Sequence, residues 1–174
     1  MVFAFPLLDV AKEVTVHMAP GMPPGYWWVT ASVLGILALS ATIDAFTEVI
    51  PDLLILLGLI AVVATQGMFV SWRMACVHFE HALLAGLIIW GVNFLWYQKF
   101  RYDALGMGDA KWTMLAVACF GAYPVLAAWA IGSILATAVI LASKLTSYRI
   151  TQVTFAPYLF VGLVLGLYGL RFAV

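Results

Sequence analysis

From Trp112 to Ser143 the chain runs for 32 residues without an Asp, Glu, Lys or Arg, and nothing else in the sequence narrows the possible folds so far. A soluble domain, with about 25% charged residues, does not sustain such a run. A hydrocarbon core about 30 Å thick is crossed by roughly 20 apolar residues of helix, and backbone groups in lipid must be paired within one segment or a closed barrel. Continuous apolar runs, without the strict alternation of a half-buried strand, point to helices. Comparable charge-poor stretches recur along the 174 residues, which are 66% hydrophobic and 9% charged, with a mean hydropathy of +1.09. The expected fold class is all-α, a polytopic integral membrane bundle.

Six spans account for the pattern. The first runs from about Tyr26 to Ala45, with Asp44 as its only charge. Pro51 suits a helix start and opens a second span over roughly 52–72. A third covers about 79–98, with Trp96 and Tyr97 at an interface. The long uncharged run would make ~48 Å of helix, too long for one upright crossing, and GAYP at 121–124 offers a break. Two spans of about 20 residues then require the fourth to begin near Ala104. That draws Gly106, Gly108 and Asp109 into the membrane end of the helix. The sixth span covers roughly 153–170. Residues 1–25 read as a short N-terminal segment, an interfacial helix broken by MAPGMPPG, and not as a cleaved signal, because MVFAFPLLDV has no basic opening.

Six spans place both termini on one side. The loops after spans 1, 3 and 5 carry Lys99, Arg101, Lys144 and Arg149, with Lys111 just inside span 4, against Lys12, Arg73 and Arg171 on the other side. The bias favours a cytoplasmic position for the first group. Formal net charge is zero and the basic residues are scattered, so no nucleic-acid partner is expected. Membrane lipids are.

Asp44 closes span 1 and Asp109 opens span 4, so both lie at the same membrane face although 65 positions apart. An ionisable group drawn toward lipid usually faces a bundle interior or a water-filled cavity. Two carboxyls at one depth can share a proton, because like charges at close range do not both ionise cheaply. The ionised member can then activate water while its neutral neighbour hydrogen-bonds a carbonyl oxygen. The same two acids would also serve as ion or proton ligands in a transporter or channel, or as interfacial residues of an assembly subunit, and the residues alone leave these open. Gly106 and Gly108 permit close approach to Asp109 and local departure from helix. Lys111, two residues on, points away from Asp109 on a regular helix and reads as a snorkelling anchor. Pro51 fixes the turn between spans 1 and 2, Glu48 lies in that turn as a possible helper, and Asp52 reads as an N-terminal helix cap.

Other polar residues invite less. His78, Glu80 and His81 in CVHFEHALL fall on the side opposite the two acids and lack the H-E-x-x-H order of a metalloprotease; they and His17 read as interfacial, and no metal or other cofactor is expected. Cys76 and Cys119 read as free buried thiols. Trp27 and Trp28 read as belt aromatics, and Gly162, Gly166 and Gly169 as a close-packing face. Asp103 stands beside the second acidic motif, in a polar loop with Lys99 and Arg101. Lys99 and Arg101 suit lipid headgroups.

Three stretches resemble the type IV prepilin peptidases, membrane aspartic proteases that include the preflagellin peptidases. IDAFTEVIPD, residues 43–52, is similar to that family's Asp followed by Ile-Pro and Asn or Asp; GMGDAKW, residues 106–112, resembles its G-x-G-D-x-K motif. TFAPYLFVG, residues 154–162, is similar in part to a P-F-G-P-F segment, with Thr154 and Ala156 departing from it and Pro157 retained. The resemblance spans roughly 30–170 and implies that residues 26–174 form a six-helix aspartic peptidase domain with Asp44 and Asp109 catalytic. It also implies removal of a short basic leader from a prepilin or pseudopilin, at the cytoplasmic face of the inner membrane and after a Gly. Long family members carry a zinc-binding domain with CxxC pairs and methylate the product. This chain resembles the short Flp/Tad-type form, for which no methyltransferase activity is expected.

Overall fold

The computed structural model describes residues 27–102, 105–145 and 154–171. The expected interfacial segment, with Lys12 and His17, and the loop residues Asp103 and Arg149 lie outside those described. Six helices are present among the described residues: α1 (Trp27–Thr47), α2 (Asp52–Phe69), α3 (Trp72–Phe100), α4 (Met107–Phe120), α5 (Ala122–Leu145) and α6 (Ala156–Arg171).

The helices manage their polar groups locally, as a segment in lipid must. On α1 the hydroxyls of Ser32, Thr42 and Thr47 donate to the carbonyls of Trp28, Ala38 and Ile43, one turn back. Ser71 caps α3 by accepting from the Met74 N–H, and Arg101 closes it in the left-handed region at φ 63°. Glu48 at φ 56° ends α1, its N–H donating to the Asp44 carbonyl at 2.8 Å. Outward faces are apolar: Leu53, Leu56, Leu57 and Ile60 of α2 are each more than half exposed. A row of that kind is at home against lipid and not against water.

The centre of the bundle is α4. Nine of its 14 residues are buried, and it packs against all five other helices. An all-round apolar helix belongs in such a place. Around it run α3, α2, α1, α6 and α5 in that order, each packed on the next, while α3 and α5 share no packed seam to close the circuit. Trp112, Leu115 and Ala116 of α4 meet Leu34 and Leu37 of α1 and Leu159 and Leu163 of α6 in one continuous core. The indole of the fully buried Trp112 donates to the Leu37 carbonyl at 3.3 Å.

Three expectations change. The fourth helix begins at Met107, not near Ala104, and its 14 residues make only about 21 Å, short of a full crossing. The break comes at Gly121, whose φ of 79° ends one helix and lets α5 begin at once. Among the described residues, α1, α2, α3 and α5 are the helices long and apolar enough to cross a membrane, and α6 has 16 residues. The bundle is therefore polytopic, with four helices of spanning length and two shorter ones. The third helix is also longer than expected, starting at Trp72.

Backbone proximity decides which glycines matter. A Cβ on Gly162 would stand 2.4 Å from the Ala128 carbonyl oxygen, and one on Gly132 would stand 2.9 Å from that of Tyr158. Gly166 meets Ala127 at 3.3 Å, whereas nothing lies within 4 Å of a Cβ on Gly169. The α5–α6 seam thus uses Gly132, Gly162 and Gly166, and Gly169 is not part of it. Gly162→Ala should lower stability in detergent by about 1–3 kcal/mol, the usual scale of overpacking, read as a fall in thermal midpoint. Gly169→Ala should not lower that midpoint, because nothing stands near the new methyl and alanine is the better helix former by about 0.5–1 kcal/mol.

Candidate active site

The turn between α1 and α2 and the head of α4 face each other across one cavity. Its volume is about 1310 Å³, and both Asp44 and Asp109 line it. Asp44 stands in the last turn of α1 and Asp109 in the first turn of α4, and they are 8% and 7% exposed. The two carboxyls are near enough for their charges to repel. Residues 65 positions apart therefore share one partly sheltered pocket, as their common depth predicts.

Each carboxylate has a backbone donor of its own. Gly106 is the N-cap of α4, and Asp109, three residues on, accepts from the Gly106 backbone N–H. That is the acidic half of a capping box, and it sets a negative group at the positive end of the helix dipole. A Cβ at position 106 would come within 3.3 Å of Asp109 Oδ2, so glycine keeps this approach open. Asp44 accepts from the backbone N–H of Ala156, the first residue of α6. The TFAPYLFVG stretch thereby acquires a physical role, presenting a helix N-terminus to the first acid. Sequence reasoning picked out Pro157 there and missed the Ala156 N–H.

Side chains of the two motifs interlock beside the acids. Ile50, 4% exposed, lies over Gly108, where an added Cβ would be 3.0 Å from Ile50 Cγ1. Gly108 is helical, so its missing side chain makes room for Ile50 and no departure from helix occurs. Lys111 forms an ion pair with Asp52. Asp52 is the first residue of α2 and makes no side-chain cap; Pro51 holds the N-cap position at φ −65°. Both earlier assignments change: Asp52 is a partner for Lys111, not a cap, and Lys111 bridges the motifs where a snorkelling anchor was expected. Glu48 is exposed at the cavity mouth, in the turn where it was placed, and its charge reaches Asp44.

Contacts from α5, α3 and the residues leading into α6 support the site. Thr113, one turn beyond Asp109, accepts from the Trp129 indole at 3.1 Å, and the Trp129 ring meets Phe155 edge-on at 5.1 Å. Asn93 of α3 accepts from the Leu105 N–H at 3.2 Å and steadies the approach to Gly106. Neither Trp129 nor Asn93 could be picked out locally, because each acts through a contact remote in the chain.

The remaining candidates lie elsewhere. His78, Glu80 and His81 fall in the first third of α3, at the bundle end opposite the acids. No cluster of His, Cys, Asp and Glu among the described residues is placed to hold a metal ion. Cys76 is exposed, contrary to the buried thiol expected, and Cys119 is partly buried. Trp27 and Trp28 stack at 3.8 Å at the start of α1. Lys99 sits over the Phe100 ring at 5.1 Å. A buried carboxyl pair fed by a water-accessible cavity can share a proton and polarise water against a bound carbonyl.

The family model that matches the chain is that of the type IV leader peptidase family, over residues 31–142. No curated protein and no solved structure matches it.

The interlock is open to a double-mutant cycle. Gly108→Ala and Ile50→Ala should each destabilise, the second by about 2–5 kcal/mol as buried Ile truncations do. Combined, they should couple favourably by about 0.5–2 kcal/mol, because the smaller side chain makes room for the new methyl. Lys111→Met should change stability by no more than about 1 kcal/mol, as its ion pair is largely solvated. Chemical denaturation in mild detergent measures all four.

Proposed function

The chain belongs to the type IV leader peptidase family, and we propose that Asp44 and Asp109 are the catalytic pair with which it cuts. Membership makes it a multi-pass aspartic endopeptidase of the inner membrane that acts on prepilin-type leader peptides. The observation that carries the assignment is the meeting of both acids in one cavity, each with a backbone donor, while their flanking residues interlock. Gly106, Gly108, Pro51 and Lys111 hold that geometry, and Glu48 adds negative charge at the mouth.

The pair works as a unit with one shared proton. The ionised carboxylate takes a proton from water as the water oxygen bonds to the scissile carbonyl carbon. The protonated partner gives its proton to the carbonyl oxygen, leaving a neutral gem-diol. Collapse breaks the C–N bond: the first acid returns its proton to the leaving nitrogen, and a diol hydroxyl returns one to the second. The site ends as it began, with one proton on the pair. The Ala156 N–H and the dipole of α4 stabilise whichever carboxylate is ionised.

The substrate we infer is a prepilin or pseudopilin, cut after Gly between a short basic leader and an apolar helix. Glu48 at the mouth complements such a leader. Lys99, Arg101, Lys111 and Lys144 lie at the same end of the bundle as the acids and Arg73 at the other, which favours a cytoplasmic mouth. The position of Asp103, next to the second motif in sequence, suits the same leader-binding role.

In proteoliposomes, Asp44→Asn and Asp109→Asn should each lower cutting of a prepilin-type peptide by at least about 10³-fold, and the double variant should lose little more. Circular dichroism and gel filtration should match the parent. Peptide cutting that survives either change would remove that acid from the mechanism. Ion flux lost in both variants, with no peptide product from the parent, would make the chain a transporter.

A further inference from the structure

We propose that the gap between α3 and α5 is a lateral opening in which the apolar helix of the substrate docks while its leader reaches the acids. The proposal rests on the peptidase reading above and adds where the membrane-embedded part of the substrate binds.

Among the described residues, the ring around α4 is left incomplete between α3 and α5. Every other neighbouring pair in the circuit packs along a seam, and α3 and α5 do not. On the α3 side a second cleft, of about 250 Å³, is lined by Trp90, Asn93, Phe94, Tyr97 and Met107. Trp90, Phe94 and Tyr97 recur at i, i+4 and i+7 and so form one stripe along the helix. Their exposures of 51%, 48% and 45% leave that stripe uncovered, with the first two rings stacked at 5.6 Å. On the α5 side, Ser133, Ala136, Thr137 and Ile140 face the acid cavity.

Met107 joins the two spaces. It lines both the α3 cleft and the acid cavity, it is 45% exposed, and it lies two residues before Asp109. A segment lying along the aromatic stripe therefore ends beside the space before the carboxyls, with Met107 at the boundary. The polarity of the path changes along its length. Its side wall is aromatic and apolar, and the cavity it leads to carries Glu48, Asp44 and Asp109 beside the Lys111–Asp52 pair. A chain with an apolar helix at one end and basic residues at the other matches that gradient in a single orientation. A lipid tail would satisfy only the side wall, and a second copy of this bundle would leave the acidic mouth unmatched.

The test uses the full chain in lipid nanodiscs, carrying Asp109→Asn so that peptide persists. The probe is a synthetic peptide with a basic leader, a Gly and a 20-residue apolar helix, an arbitrary length set by bilayer thickness. A photoreactive benzoylphenylalanine is placed singly at Phe94, at Thr137, and at two outward controls, Leu57 on α2 and Leu165 on α6. Peptide adducts at 94 and 137 should exceed those at 57 and 165 by at least tenfold, and should fall to the control level for a leader peptide without the helix. Equal labelling at all four positions, or stronger labelling at the controls, overturns the proposal. So does an adduct of twice the chain's mass that forms at 94 or 137 without peptide, because a second copy then occupies the gap. Cutting by the parent enzyme is scored separately. Cutting with control-level adducts sinks the docking site and leaves the catalytic pair standing; the expected adducts with no cutting by the parent do the reverse.

Discussion

The seat of Ile50 over Gly108 fixes how closely the end of α1 approaches the head of α4. Ile50 is the one buried residue of the turn that follows Asp44, and Gly108 immediately precedes Asp109. Any side chain at 108 would push the turn outward, and any smaller one at 50 would leave the turn unanchored. The Asp52–Lys111 pair lies on the outer side of this contact and is partly solvated, so it orients more than it binds. The carboxyls, on the inner side, are brought together by an apolar contact and held apart by their own repulsion. That balance suits two groups that exchange a proton, since neither is locked by a strong ion pair.

A mismatch in helix length creates the cavity. Helices α4 and α5 leave the same turn at Gly121 in opposite directions, with 14 and 24 residues. The difference carries α5 about 15 Å beyond the head of α4. An antiparallel partner to Met107 falls near residue 135, so Ala136, Thr137 and Ile140 stand above the acids as a wall and not beside α4 as packing. The short helix sets Asp109 inside the bundle, and its five neighbours carry the burial that its length alone would not secure. The N-terminus of α6 completes the enclosure by turning the Ala156 N–H onto Asp44.

Much of this was legible in the sequence, for identifiable reasons. Charge-free runs and Pro51 marked the helices, and the position of Asp44 and Asp109 at matching span ends placed them together. Those signals are one-dimensional. The length of α4 was not legible, because dividing the uncharged run evenly presumes that each helix crosses the bilayer, and a helix covered on every side by protein has no such obligation. The Gly121 turn looks alike in sequence whether the helices it joins are equal or not. Lys111 and Asp52 are 59 positions apart, and each had a sufficient local account, an anchor and a cap, that hid the other. Gly162 and Gly169 look equivalent along α6, and only the path of α5 separates them.

The placement of the acids also answers a difficulty that any protease in this setting meets. A peptide bond within a membrane helix is paired to the next turn and shielded by side chains, so a carboxyl pair at mid-membrane would find no free carbonyl to attack. A pair at the head of a shortened central helix meets the chain where an apolar helix gives way to its leader. If the substrate carries glycine at that junction, as proposed, the last turn is weakened and the backbone would extend toward Asp109. On the proposed reading, water would reach the acids through the same mouth that admits the leader, while the aromatic stripe on α3 would keep the helix in an apolar surrounding. On that reading selectivity would arise from the boundary between the two environments. A helix without a charged leader would not reach the mouth, and a leader without a helix would not be held at the side.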